Sequence, residues 1–150
     1  MDELFMQEAL KLAEVARSMD EVPIGCVIVH DGKIVGAGHN LRNSMKNTLY
    51  HAEIIAINEA SKHLGDWRLE NCTIYVTIEP CPMCAGAILQ ARIPRLVYGA
   101  ASPKAGAVGS IVNLLANPAF NHQVEVVTGI LEAKCSAIVS NFFQSSRARL

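Results

Sequence analysis

Residues 72–92 read CTIYVTIEPCPMCAGAILQAR, and the change of pattern inside this stretch decides the fold. Its first seven residues are β-branched or apolar, bounded by polar residues on one side and by Glu-Pro on the other, as in a strand buried on both faces. After Pro80 come helix formers, and Ile93-Pro94 stops them because proline cannot continue a helix. A buried strand that runs directly into a helix is the repeating unit of an α/β sheet.

Working outward, each flank adds a piece of the same kind. Upstream, VPIGCVIV (22–29) and KIVGAG (33–38) flank Asp31-Gly32. An Asp-Gly pair between two such runs predicts an antiparallel hairpin. Residues 3–18 have helical periodicity, with Leu4, Ala9, Leu12 and Val15 among the repeating apolar positions. The polar segment HNLRNSMKNTLY reads as a surface loop leading into a helix over 51–64. Downstream, LVYGA (96–100) and VEVVTG (124–129) read as strands. ASPKAGAVGS (101–110) reads as a loop, 111–116 as a short helix, Asn117-Pro118 as a turn, and 131–147 as a last helix. Helices and apolar strands in alternation imply a sheet covered on both faces.

The chain has 150 residues, a length that fits one domain spanning 1–150, since such a chain buries about two thirds of its unfolded surface. Its apolar runs are broken by Gly, Pro or charge before they reach the roughly 20 residues a bilayer requires, which excludes a membrane-spanning reading. The acidic, amphipathic start MDELFMQEALKLAEVARSMDE is unlike a secretory signal and points to the cytosol as the expected compartment. There the five cysteines are expected reduced, as ligands or buried apolar groups rather than disulfides. A formal charge of -1 argues against binding nucleic acid through one large positive field, although a local basic face remains compatible with it.

Two motifs carry chemistry: His51-Ala52-Glu53 and Pro80-Cys81-Pro82-Met83-Cys84, each at the predicted start of a helix. Cysteines three apart on a helical turn point to one side and can share a tetrahedral metal. A helix N-terminus favours the thiolates that zinc requires. One imidazole with two sulfurs leaves the fourth position of a zinc ion for water, the open arrangement of a catalytic site. Glu53 stands two residues past His51, able to reach that water as a proton shuttle rather than as a ligand. A redox Cys-x-x-Cys pair would leave His51 and Glu53 without a role. Cys26, Cys72 and Cys135 fall on strands or an apolar helix face and read as buried small hydrophobes. His30 and His63 read as solvated.

The His-x-Glu and Pro-Cys-x-x-Cys pair is the signature of zinc-dependent base deaminases. With it, EVPIGCVIV, GHN, HAEIIAINEA, TIYVTIEPCPMCAGAI, YGA, PKAGAVGS, NHQVEVVTGIL and SNFF occur in order over nearly the whole chain. On these residues the sequence resembles the cytidine deaminase-like superfamily and, within it, the tRNA adenosine deaminases that make inosine at the wobble position. The resemblance implies a three-layer α/β/α sandwich with a central five-stranded mixed sheet, one Zn2+ per subunit, and a homodimer. It implies as partner the anticodon stem-loop of a tRNA, an arginine tRNA. Carried over residue by residue, it makes His51, Cys81 and Cys84 the zinc ligands and Glu53 the catalytic group. Asn40 and Ala52 would contact the flipped base, Asn121 and His122 the anticodon path, and Lys104, Phe143 and Arg147 the flanking nucleotides. Core packing is the competing role for one of Phe142 and Phe143. Two departures stand out: Ser102 occupies a position that is often acidic in the family, and the tail QSSRARL is less basic than usual. Two other readings remain open, a free-base or nucleoside deaminase using the same zinc site and a non-catalytic RNA-binding subunit.

Overall fold

The structure is a computed structural model that describes residues 1–148; Arg149 and Leu150 of the QSSRARL tail lie outside the described residues. Helix α1 (Asp2–Ser18) is followed by strands β1 (Gly25–His30) and β2 (Lys33–His39), helix α2 (Ala52–Leu64), strand β3 (Cys72–Ile78), helix α3 (Pro82–Gln90), strand β4 (Arg95–Ala100), strand β5 (Glu125–Thr128) and helix α4 (Glu132–Ala148). The sheet order is β2-β1-β3-β4-β5. β1 pairs antiparallel with β2 and β3, whereas β3–β4 and β4–β5 are parallel, so the sheet is mixed, as expected. The turn at Asp31-Gly32 has positive φ at both residues, 51° and 74°, the conformation that a tight hairpin needs.

Side chains of β1 and β3 alternate between two cores. Cys26, Ile28, Ile74 and Val76 face one, which contains Ala52, Ala56 and Ala60 of α2 and Ala85 and Ile88 of α3. Val27, Val29 and Tyr75 face the other, which contains Phe5, Met6 and Ala9 of α1 and Cys135 of α4. These are the three layers α/β/α. Cys26, Cys72 and Cys135 are buried without disulfides, as small apolar groups. No helix among the described residues is long and apolar enough to cross a membrane.

Three expectations are corrected. β1 starts at Gly25 rather than at 22, because Val22 and Ile24 leave the ladder to line a cavity. α1 presents Phe5, Met6, Ala9, Ala13 and Ala16 to the sheet, while Leu4 and Val15 are exposed. Ala9, Ala13 and Ala16 let the helix approach the sheet closely, with Phe5 and Met6 packed into the contact, so Leu4 and Val15 end up beside it rather than in it. The helix expected over 111–116 is only a single tight turn at Leu114–Ala116. The residues before it fold back on the preceding loop, with the Ile111 N–H donating to the Gly106 carbonyl and the Leu114 N–H to the Ala107 carbonyl, each at 2.9 Å.

Candidate active site

The two helix starts that the sequence singles out meet at one end of the sheet. His51 is the N-cap of α2 and Cys81 the N-cap of α3, and both have extended backbones, with ψ of 156° and 174°. Pro82 follows as the first residue of α3, where its fixed φ suits a helix start and its missing N–H costs nothing. β3 delivers Cys81 directly, since only Glu79 and Pro80 separate strand from cap. α2 is seated by Gly38: a Cβ there would lie 2.5 Å from the Ala52 carbonyl oxygen, so β2 and the first turn of α2 touch backbone to backbone. His51 is thereby fixed in depth.

His51 Nδ1 lies 3.6 Å from Cys81 Sγ and 3.6 Å from Cys84 Sγ. Each of the three residues offers a ligand atom within 4.8 Å of the others. Cys84 is buried, His51 and Cys81 partly so. The hydrogen bond from Cys84, aided by His51, brings the Cys81 thiol down to about 4, although burial opposes it. The same bond and burial push the Cys84 thiol far upward. The hydrogen bond to Cys81 raises the His51 pKa as well. A cation that takes both sulfurs would displace the Cys84 proton, and two soft sulfurs with one imidazole suit zinc.

Glu53 is 4% exposed, and burial raises its pKa to about 7. It shares the wall of a cavity of about 140 Å3 with Asn40, Ala52, His51 and Cys81. Asn40 is anchored by its own side chain: Oδ1 accepts the Arg42 N–H at 3.0 Å, and Nδ2 donates to the Val22 carbonyl at 3.4 Å. Five of the residues singled out in the sequence thus line this cavity, and Cys84 joins them through His51. The other five do not line this cavity. Lys104 is exposed in the loop whose Ser102 and Ala105 do line it. Asn121 is exposed, and the His122 ring is 2.8 Å from the Ile93 carbonyl. Phe143 and Arg147 are exposed on α4, and Phe143 meets Phe142 edge to face at 5.4 Å.

Sequence reasoning missed Arg42 and two buried carboxylates, Glu21 and Glu79, that hold the cavity rim. Glu21 accepts the backbone N–H groups of Asn43 at 3.1 Å and Ser44 at 2.6 Å, and the Ser44 hydroxyl. Glu79 accepts the backbone N–H groups of Ser102 at 3.1 Å, Val108 at 2.9 Å and Ser110 at 3.1 Å, and the Ser110 hydroxyl. Burial alone would raise both pKa values, but the hydrogen bonds outweigh it and hold both groups below the ordinary value. The available signal was an acid bordering an apolar run, just before Val-Pro in one case and Pro-Cys in the other.

A buried carboxyl poised beside a soft three-ligand set, on a sheet with helices on both faces, belongs to deaminase chemistry, and the family model described as MafB19-like deaminase matches residues 1–147. The tRNA-specific adenosine deaminase of Bacillus subtilis (strain 168) is 50% identical over 148 residues, covering 99% of this chain and 92% of the relative. The chain belongs to the family of tRNA-specific adenosine deaminases. A solved structure from work on A-to-I editing by tRNA:A34 deaminases at the wobble position of transfer RNA matches with a TM-score of 0.86 and 44% identity, covering 89% of this chain and 97% of that one. The guanine deaminase from Nitrosomonas europaea, at 23% identity and a TM-score of 0.77 over 93% of this chain and 83% of its own, shares the fold.

Proposed function

We propose that the chain hydrolyses adenosine to inosine, with release of ammonia, at the wobble position of a tRNA anticodon loop, and that 1–150 acts as one deaminase domain. The observation that carries this reading is the convergence of His51, Cys81 and Cys84 beside the buried Glu53, in a chain half identical to a tRNA-specific adenosine deaminase. His51, Cys81 and Cys84 would hold one zinc ion. When bound, it supplies the Lewis acidity that makes water a nucleophile near neutral pH.

The cavity of about 140 Å3 is well below the 300–1,000 Å3 of sites for drug-sized ligands, and so suits a single base flipped out of its strand. Asn40 orients that base: the amide hydrogen of Nδ2 not directed at Val22 is available to a ring nitrogen. Ala52 packs against its face. Glu53 takes a proton from water as the oxygen bonds to C6 of the adenine, and delivers it to N1. It then moves the second proton to the amine as the C6–N6 bond breaks, so ammonia leaves and the oxygen remains as the inosine carbonyl. A carboxyl held near 7 suits both directions of transfer.

Lys104, Asn121, His122, Phe143 and Arg147 are proposed to contact the flanking nucleotides, by phosphate pairing or stacking. The proposed partner RNA is an arginine tRNA, the proposed compartment the cytoplasm, and the proposed assembly a homodimer. Exposed Ile111 and Val112 at the end of the 101–113 loop support the last, as apolar surface that a second copy would cover. Metal analysis together with inosine assay on an arginine-tRNA anticodon stem-loop, beside free guanine and cytidine, tests the reading. We expect about one zinc per chain and product from the stem-loop. Ammonia from guanine or cytidine, with no inosine from the stem-loop, would overturn it in favour of a free-base or nucleoside deaminase.

A further inference from the structure

Glu79 sits in the cavity wall and is 3% exposed, yet the mechanism does not use it. Its two oxygens are fully occupied. Oε1 accepts the Ser102 N–H and the Ser110 hydroxyl, and Oε2 accepts the Val108 and Ser110 N–H groups. Four donors exhaust the lone-pair directions of a carboxylate, leaving no site for a metal or a moving proton. Every donor comes from one loop, 102–110. Gly106 of that loop lies flat on the carboxylate, where any Cβ would collide with it. The loop is also tied to the next residue, because Ala107 N–H donates to the Pro80 carbonyl at 2.8 Å. Glu79 itself is fixed to β4 by its N–H, which donates to the Ala100 carbonyl at 2.8 Å.

The loop therefore hangs from the two residues that precede Cys81. It turns Ser102 and Ala105 toward the cavity and carries Lys104 on its exposed side. We propose that Glu79 is a positioning residue for RNA: by gathering the 102–110 loop onto the strand that delivers Cys81, it sets the outer wall of the cavity at the depth where the target base enters, and so governs how tightly the flanking nucleotides are held. This rests on the reading that the cavity receives a base from an anticodon loop. In either orientation the glutamine amide of Glu79→Gln would turn a hydrogen toward at least one N–H group that needs an acceptor, Ser102 on one side or Val108 and Ser110 on the other, which loosens the loop without changing its length.

Steady-state kinetics on the anticodon stem-loop separate this role from a general structural one. The wild-type chain must first form inosine; no product there removes the functional reading itself and not only this one. Given activity, we expect Glu79→Gln to raise KM at least tenfold with kcat within about threefold and zinc content unchanged. Ser110→Ala, which removes one donor and leaves the carboxylate, should move KM in the same direction by about threefold, and it supplies the test should Glu79→Gln fail to fold. Unchanged KM in the folded variant, or loss of zinc and kcat with KM preserved, would overturn the proposal and leave Glu79 as a scaffold for Cys81 alone.

Discussion

The floor and the rim of this site are built by opposite means. The floor consists of two helix starts, where His51, Glu53, Cys81 and Cys84 are placed by backbone that is already regular. The rim consists of two irregular segments, 41–50 and 102–110, held by single buried carboxylates that gather backbone N–H groups. The two kinds of carboxylate differ accordingly. Glu53 is buried with few donors, and its pKa rises to about 7, whereas Glu21 and Glu79 are buried under donors and stay ionised. Environments that push apart the pKa values of carboxyl groups within one pocket separate the group that moves protons from those that hold shape.

This contrast predicts a graded series of effects. The largest belongs to the floor. Cys84→Ala removes the buried sulfur of the three-ligand set, so bound zinc should fall at least tenfold and inosine formation should drop to background. Zinc retained at wild-type level, by elemental analysis of the purified variant, would contradict the three-ligand floor. Rim variants such as Glu79→Gln should instead change KM and leave the metal in place. If they lost zinc as readily as Cys84→Ala does, floor and rim would not be separable.

The smallest effect lies on the far side of the sheet, where Arg95 holds Asp2 through two bonds of 3.0 and 2.8 Å. That pairing is the main reason the Asp2 carboxyl sits near 2 instead of 3.8. A depressed carboxyl stabilises the fold above its unfolded pKa and loses that contribution as pH falls through the folded value. The Asp2 contribution should therefore be complete above about pH 4, fall as the pH drops toward 2 and be gone only below about pH 2. With both side chains about a quarter exposed it amounts to about 1–2 kcal/mol. Asp2→Asn should cost that much in urea unfolding at pH 7, the difference closing toward pH 2, with deamination unaffected. A difference that stays constant across that range would rule out the ion pair as its source.

Floor and rim also differed in how far the sequence revealed them. The floor was legible because a helix start concentrates its meaning in a few adjacent residues, so His-x-Glu and Pro-Cys-x-x-Cys showed both chemistry and place. β3 and the hairpin at Asp31-Gly32 were legible for the same reason, each resting on short-range pattern. The rim was not legible, because Glu21 and Glu79 bind groups 22 to 31 residues away, and an accepting bond to a backbone N–H leaves no mark on the identity of its donor. The short helix expected over 111–116 failed there, since the Ile111 and Leu114 N–H groups donate back to the Gly106 and Ala107 carbonyls of the loop that Glu79 gathers. The buried face of α1 failed on different grounds. Ala9, Ala13 and Ala16 make the close contact, while pattern reading gives weight to the larger Leu4 and Val15.

The proton transfer proposed for Glu53 is the central step of the reaction. Single-turnover inosine formation by Glu53→Ala, measured on protein whose zinc content has been determined, should fall by about 10²- to 10⁴-fold with the metal still bound, the range for loss of a general acid–base group. A near wild-type rate from zinc-loaded Glu53→Ala would show that the proton travels by another route.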